Sequence, residues 1–347
     1  MSAGKAGDDR TRQRMAPYLG LRVAAAALVF FSVLVAGTLF AARYGARDAT
    51  NTIGERQAEI AEAAPDLILL GNSMLGEAVD DQMLGAQTGL SIYKWASGGS
   101  MSAYWYIATK NVIAAGPHRP SWLLIFFRDT FLTDPEKRVD GIYRQGIEQW
   151  TRESEPLLEE IAYKSTTSQW SRRVEKAWPL LRNRTMLNRR IENTLNDLTA
   201  VALGVPTERL EAAAADVFAA SNMIPEKITG AQLAAEQTTD RPFDELVEES
   251  FLPHIIRIAE AADIRLCFVR VKRRRVAEGE PEPEDVVSYV ADLRDYLGSR
   301  DIPFIDFTHD PRLTIDHFAE GDHLDRDLGR PVFTQLLAEA LSDAFGD

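Results

Sequence analysis

The 347-residue chain has a single cysteine, Cys267, and five scattered histidines, at 118, 254, 309, 317 and 323. One thiol cannot close an intramolecular disulfide, so no cross-linked scaffold is expected. Cys267 lies in the apolar run Ile264–Val271, where a buried structural thiol is expected rather than a nucleophile. No Cys/His pair has zinc-like spacing, so neither a metal nor another cofactor is expected. Positive charge is also in short supply, with 39 Lys/Arg against 52 Asp/Glu and a net charge of −13. Such a balance argues against nucleic acid or anionic lipid as the main partner.

What basic charge there is gathers at one end. Residues 1–22 carry five Lys/Arg and two Asp/Glu, which leaves 34 and 50 in the remainder, a net of −16. Between Arg22 and Arg43 lie twenty residues, Val23–Ala42, without a charge. Twenty helical residues are about 30 Å long, the thickness of a bilayer's hydrocarbon core. The apolar region of a cleaved signal peptide is shorter, so an uncleaved single-pass anchor is expected at 23–42. Five Lys/Arg lie at or before Arg22 against Arg43 and Arg47 shortly after the span, a bias that keeps the tail 1–22 in the cytoplasm and exports the rest. A polar helical stalk is expected over 43–63, with Ile53, Ile60 and Ala63 on one side, and a folded domain over 64–347.

That domain alternates strand-like and helix-like segments. Strands are expected at Asp66–Leu70, Ser91–Trp95, Trp122–Phe127, Ile264–Val271 and Pro303–Phe307. Gly76–Gly89 reads as a helix or helix-turn; Met101–Ala115, Phe251–Ala262 and Val286–Arg300 read as helices. The alternation predicts an α/β fold, a doubly wound and mostly parallel sheet. From about 138 to 263 the sequence is charged and helix-like, too long for an ordinary crossover, and reads as a helical insertion. Its basic run, Arg172, Arg173, Lys176, Arg182, Arg184, Arg189 and Arg190, is a solvated helix face or a landing surface for an anionic glycan or headgroup.

Two loops carry chemistry. In Asp66–Val79, DLILLGNSMLGEAV, Gly71-Asn72-Ser73-Met74 turns from the first strand into a helix and sets Ser73 at the strand's carboxyl end. Ser73 there is either a nucleophile beside unpaired backbone N–H groups or a helix cap. Near the C-terminus, HFAEGDHLDRDLGRPVF places His323 three residues after Glu320 and just ahead of the last apolar segment. A carboxylate at that spacing can orient the imidazole; Asp316 and Asp322 compete for the role.

Together these loops resemble the SGNH (GDSL-like) hydrolase superfamily over roughly residues 64–135 and 262–345. Trp95-Ala96-Ser97-Gly98-Gly99-Ser100 resembles the family's glycine block, and Leu123–Thr130, LLIFFRDT, stands where its Gly-x-Asn-Asp block would be. The resemblance implies an SGNH-like three-layer sandwich with Ser73, His323 and Glu320 as catalytic residues. It also implies oxyanion or substrate contacts from Gly98 and from the third block, Arg128 and Asp129. Two departures stand out: Glu320 where the family has Asp, and Arg128 where it has the asparagine donor. Arg128 offers five donors in that place, or it pairs with Asp129 or Asp134 instead. The implied activity is serine acyl transfer or ester hydrolysis. With the anchor, the chain resembles membrane-bound enzymes acting on O-acyl groups of a surface or secreted polysaccharide beside a multispanning acyl-donor protein. The alternative is a non-catalytic assembly or glycan-binding protein on the same fold.

Overall fold

A computed structural model describes residues 52–152, 155–164, 241–274, 279–319 and 322–345, together with Leu28, Phe31, Ser32, Val35 and Ala36. Those five are helical, and Leu28, Phe31 and Val35 are exposed. The rest of the expected span 23–42, most of the insertion and Glu320 lie outside the described residues. No helix among the described residues is long and apolar enough to cross a membrane.

Five strands, β1 (Leu67–Gly71), β2 (Ile92–Ala96), β3 (Trp122–Phe127), β4 (Arg265–Arg270) and β5 (Phe304–Asp306), form one sheet in the order β2-β1-β3-β4-β5. Every pairing is parallel. The three central strands are almost unbroken apolar runs because helices cover both faces. Alternate side chains feed two separate cores. Ile68, Leu70, Leu123, Ile125, Phe127, Leu266 and Phe268 face the first. Leu67, Leu69, Leu124, Phe126, Cys267 and Val269 face the second. Cys267 is fully buried, and burial pushes its thiol up to about 12, so it stays a protonated core side chain.

The first core is covered by α4 (Ser102–Ala108), α7 (Leu252–Ala261) and α8 (Glu284–Gly298), the second by α2 (Ser73–Ala78), α3 (Asp81–Thr88) and α9 (Gly329–Phe345). Two shorter helices, α5 (Gly141–Glu148) and α6 (Phe243–Glu248), flank the first core. The segment read as a helix over Met101–Ala115 continues from α4 into a π-helical turn, Thr109–Ile113. Residues 52–63 form a helix, α1, whose Ile53 and Ile60 are buried in the first core. Gln57 Nε2 donates to the Asn111 carbonyl at 3.1 Å, and the Arg56 guanidinium lies 5.2 Å from the Trp95 ring. This part of the expected stalk is thus packed onto the sheet.

The chain leaves β1 toward β2 across the second core, then returns past β1 to β3 across the first. The reversal makes the carboxyl ends of β1 and β3 a topological switch point, where open α/β sheets leave a crevice for ligands. Ser73 follows β1, Arg128 follows β3, and the glycine turn follows β2.

Candidate active site

Ser73 is the first residue of α2, and its hydroxyl does not cap the helix. That role falls to Asn72, whose Oδ1 accepts from the Met74 N–H at 2.9 Å. Asn72 is a residue the sequence reading passed over, although Asn directly before a helix is a recognised capping signal. The Ser73 hydroxyl is left half-exposed, and the His323 Nε2 lies 2.9 Å from its Oγ. The two residues are separated by 250 positions in the chain.

Gly71 sets the turn. A Cβ on it would stand 2.9 Å from Leu75 Cβ and 3.0 Å from Phe126 Cβ, so only glycine lets α2 fold back so closely over β1 and β3. Gly71→Ala is expected to lower stability by about 1–3 kcal/mol through overpacking, read as a lowered melting temperature. An unchanged melting temperature would show that the turn has slack.

The glycine turn is fixed to the same residue. Ser97 N–H and Ser100 Oγ both donate to the Gly71 carbonyl, at 2.9 and 3.1 Å, and Trp105 Nε1 donates to Ser100 Oγ at 3.1 Å. Gly98 has open space where a side chain would stand, so a ligand can approach its backbone. Gly99 has φ +70°, and a Cβ there would strike the ring edge of Tyr143.

His323 belongs to a small hairpin closed by an antiparallel bridge between Phe318 and Leu324. Ala319 N–H donates to the His323 carbonyl and Asp325 N–H to the His317 carbonyl, both at 2.9 Å. Arg274, just beyond β4, donates to the Ala319 carbonyl at 3.3 Å. The hairpin leads into α9, and residues of α9 and of the turn just before it grip α2. Arg326 and Arg330 meet the Glu77 carboxylate at 3.0 and 2.9 Å. Arg330 also donates to the carbonyls of Glu77 and Gly76, at 2.9 and 3.3 Å, which satisfies the open end of the short helix. Asp80 N–H donates to Thr334 Oγ1 at 3.0 Å. Through these bonds the hydroxyl-bearing and imidazole-bearing segments are held as one piece.

Burial lowers the His323 pKa below its ordinary 6.5; the Arg128 charge lowers it further, Glu77 opposes, and Arg138 adds a smaller push downward. A neutral imidazole at neutral pH is what proton abstraction from a serine requires.

The three candidate acids stand differently. Asp316 is exposed in the 3₁₀ turn Ile315–His317. Asp322 is buried and paired with Arg128. Glu320 lies outside the described residues.

Arg128 and Asp129 are buried, at 7% and 3% exposure. Arg128 joins Asp322, lies 3.8 Å from Asp129 Oδ2, and stacks its guanidinium 5.2 Å from the Phe131 ring. Arg273 Nη1 meets the same Asp129 oxygen at 2.8 Å. Asp129 has φ +47°, a conformation uncommon for a non-glycine residue. The result is a buried row of alternating charge, Arg273, Asp129, Arg128, Asp322, ending beside His323. Arg128 is thereby turned to carboxylates, Asp322 among them, which was not one of the two partners anticipated for it. Asp129 is engaged by arginines rather than open to a substrate. Asp306 is likewise structural, pairing with Arg270 at 3.2 Å, and Asp310 pairs with Arg312 at 2.8 Å.

No protein-family model and no characterised protein sequence matches the chain. Among solved structures it is similar to a protein provisionally described as an acylhydrolase from Bacteroides fragilis, at 12% identity and a TM-score of 0.38, covering 80% of this chain and 86% of that one. It is similar also to a GDSL-like lipase from Bacteroides thetaiotaomicron, at 11% identity and a TM-score of 0.37, over 80% and 88%. A third, provisionally described as an arylesterase from Agrobacterium tumefaciens, shows 10% identity and a TM-score of 0.32, over 80% and 98%. Likeness this slight says nothing further about the chain, whose fold stands on its own parallel five-stranded sheet with helices on both faces.

Proposed function

We propose that this protein is a serine-dependent acyltransferase or esterase, anchored by residues 23–42 with its α/β domain on the outer side of the membrane. Its substrate on this reading is an O-acyl group of a surface or secreted polysaccharide. The 2.9 Å approach of His323 Nε2 to Ser73 Oγ carries the catalytic part. His323 takes the Ser73 proton as the oxygen attacks the ester carbonyl; the C–O bond to the leaving alcohol breaks as His323 returns the proton to it. Backbone N–H groups of Ser73 and Gly98 receive the oxyanion, and Glu320 orients the imidazole. Water or a sugar hydroxyl then releases the acyl group, the transferase version drawing on a multispanning acyl-donor partner.

A non-catalytic binding module has no use for a hydroxyl and an imidazole at hydrogen-bond distance, and the contact favours the enzyme. Incubation of the solubilised full-length protein with an activated acetyl ester, quenched early, is expected to add one acetyl group to the peptide containing Ser73. Acetylation confined to surface lysines, with Ser73 unmodified and no turnover, would remove the enzyme from consideration.

A further inference from the structure

Resting on that catalytic reading, we infer that Arg138 forms an anion-binding subsite beside the Ser73–His323 pair, so that the ester taken by the site carries a carboxylate or similar anionic group. The guanidinium Cζ lies 5.4 Å from the centroid of the Tyr143 ring. Tyr143 in turn packs its ring edge on Gly99, the residue next to the Gly98 backbone offered to the oxyanion. Arg138 therefore sits on the rim of the glycine turn. It is near enough to the imidazole on the other side for its charge to lower the His323 pKa.

Its surroundings differ from those of the neighbouring cations. Arg128, Arg270, Arg273, Arg326 and Arg330 are all in ion pairs. Arg138 is half-buried and makes no ion pair with a described carboxylate. A partly desolvated guanidinium gains little by standing alone; the aromatic face beneath it returns part of the loss. Its backbone has φ +54°, a conformation that costs an L-residue strain. Val139 beside it is 1% exposed, so the strained position is anchored from below. A guanidinium on the rim of the glycine turn, without an ion pair among the described residues, suits a carboxylate, which it can bind through two parallel N–H···O bonds. The acidic molecule as a whole repels such a substrate, and a local cation overcomes that repulsion where it matters.

The anion could stand on the acyl side of the ester or on the alcohol side. Two matched pairs of small esters separate these sources: 4-nitrophenyl hemisuccinate against its methyl ester, and 4-acetoxybenzoate against its methyl ester. Assays use the full chain in detergent at about pH 8, where imidazole is neutral whether or not Arg138 is present. One pair is expected to show an anionic-to-neutral ratio of kcat/KM of at least about tenfold, the yield of one charge-assisted contact. Arg138→Gln should bring that ratio near unity, and Arg138→Lys should leave an intermediate value; the lysine variant carries the test if the glutamine variant does not fold. No discrimination in either pair, or discrimination that survives Arg138→Gln, overturns the subsite. If turnover of the neutral esters disappears in Ser73→Ala while the anionic preference is absent, only the subsite falls. If no ester is turned over, or Ser73→Ala turns over all of them, the catalytic reading falls and the subsite with it.

Discussion

Ser73→Ala is expected to reduce kcat toward an activated acetyl ester by about 10³-fold or more, leaving the residual rate that oxyanion donors and binding supply by themselves. The alanine variant loses one half-exposed hydroxyl that plays no part in capping α2, because Asn72 holds that position. Stability should therefore change by under about 0.5 kcal/mol, so the loss of rate can be assigned to chemistry. His323→Ala should cost a comparable factor. The double variant should be little worse than either, since two groups that act as a unit do not contribute additively. Steady-state kinetics on the three variants decides the matter. A Ser73→Ala enzyme within tenfold of the parent would place the chemistry elsewhere.

The second large effect concerns the buried charge row. Arg128→Met leaves Asp322 buried without its partner, a loss of about 3–5 kcal/mol in stability, readable by chemical denaturation. Adding Asp322→Asn removes the stranded charge and should recover a good part of it. Activity should respond in a separate way. Because Arg128 holds the His323 pKa down, removing it raises that pKa. A base must be unprotonated, so kcat/KM falls as pH drops through the imidazole pKa. In the parent this acid limb lies below 6.5, and in Arg128→Met it moves to higher pH. The charge effect persists in the double variant whether or not the fold has been restored, which separates it from general damage. An acid limb that stays put in both variants would mean that Arg128 acts only on stability.

Much of this architecture is written in local sequence pattern. Trp122–Phe127 is read with the bounds it has, because six consecutive apolar residues between Ser121 and Arg128 leave little choice. β1 and β2 are displaced by one residue from their expected limits, since Gly71 and Ala96 are recruited by pairing with each other rather than by propensity. The stretch Gly76–Gly89 is broken into two helices at Val79, where Asp80 Oδ1 accepts from Met83 N–H at 2.9 Å and starts the second. Ser73 and His323 are legible because each sits at a recognisable strand-to-helix or loop-to-helix junction.

The supporting residues are not legible in that way. Asp322 reads as a rival acid by its position next to His323, yet it meets Arg128, a partner 194 residues earlier that no local pattern announces. Glu77 and Arg330 look like ordinary helix-surface charges. Their importance arises only when α2 and α9 lie side by side. Arg138 carries no local signal at all, since nothing in the sequence announces Tyr143 beneath it.

The 250-residue separation between hydroxyl and base has a consequence for biogenesis. A ribosome adding about 5–20 residues per second needs roughly 10–50 s to go from one to the other. Throughout that interval Ser73 has no base, and the second core lacks Phe333, Leu336, Leu337 and Leu341. On the proposed mechanism a nascent chain that has not reached His323 cannot activate Ser73, and a product that stops short of the last helix also leaves the second core incomplete.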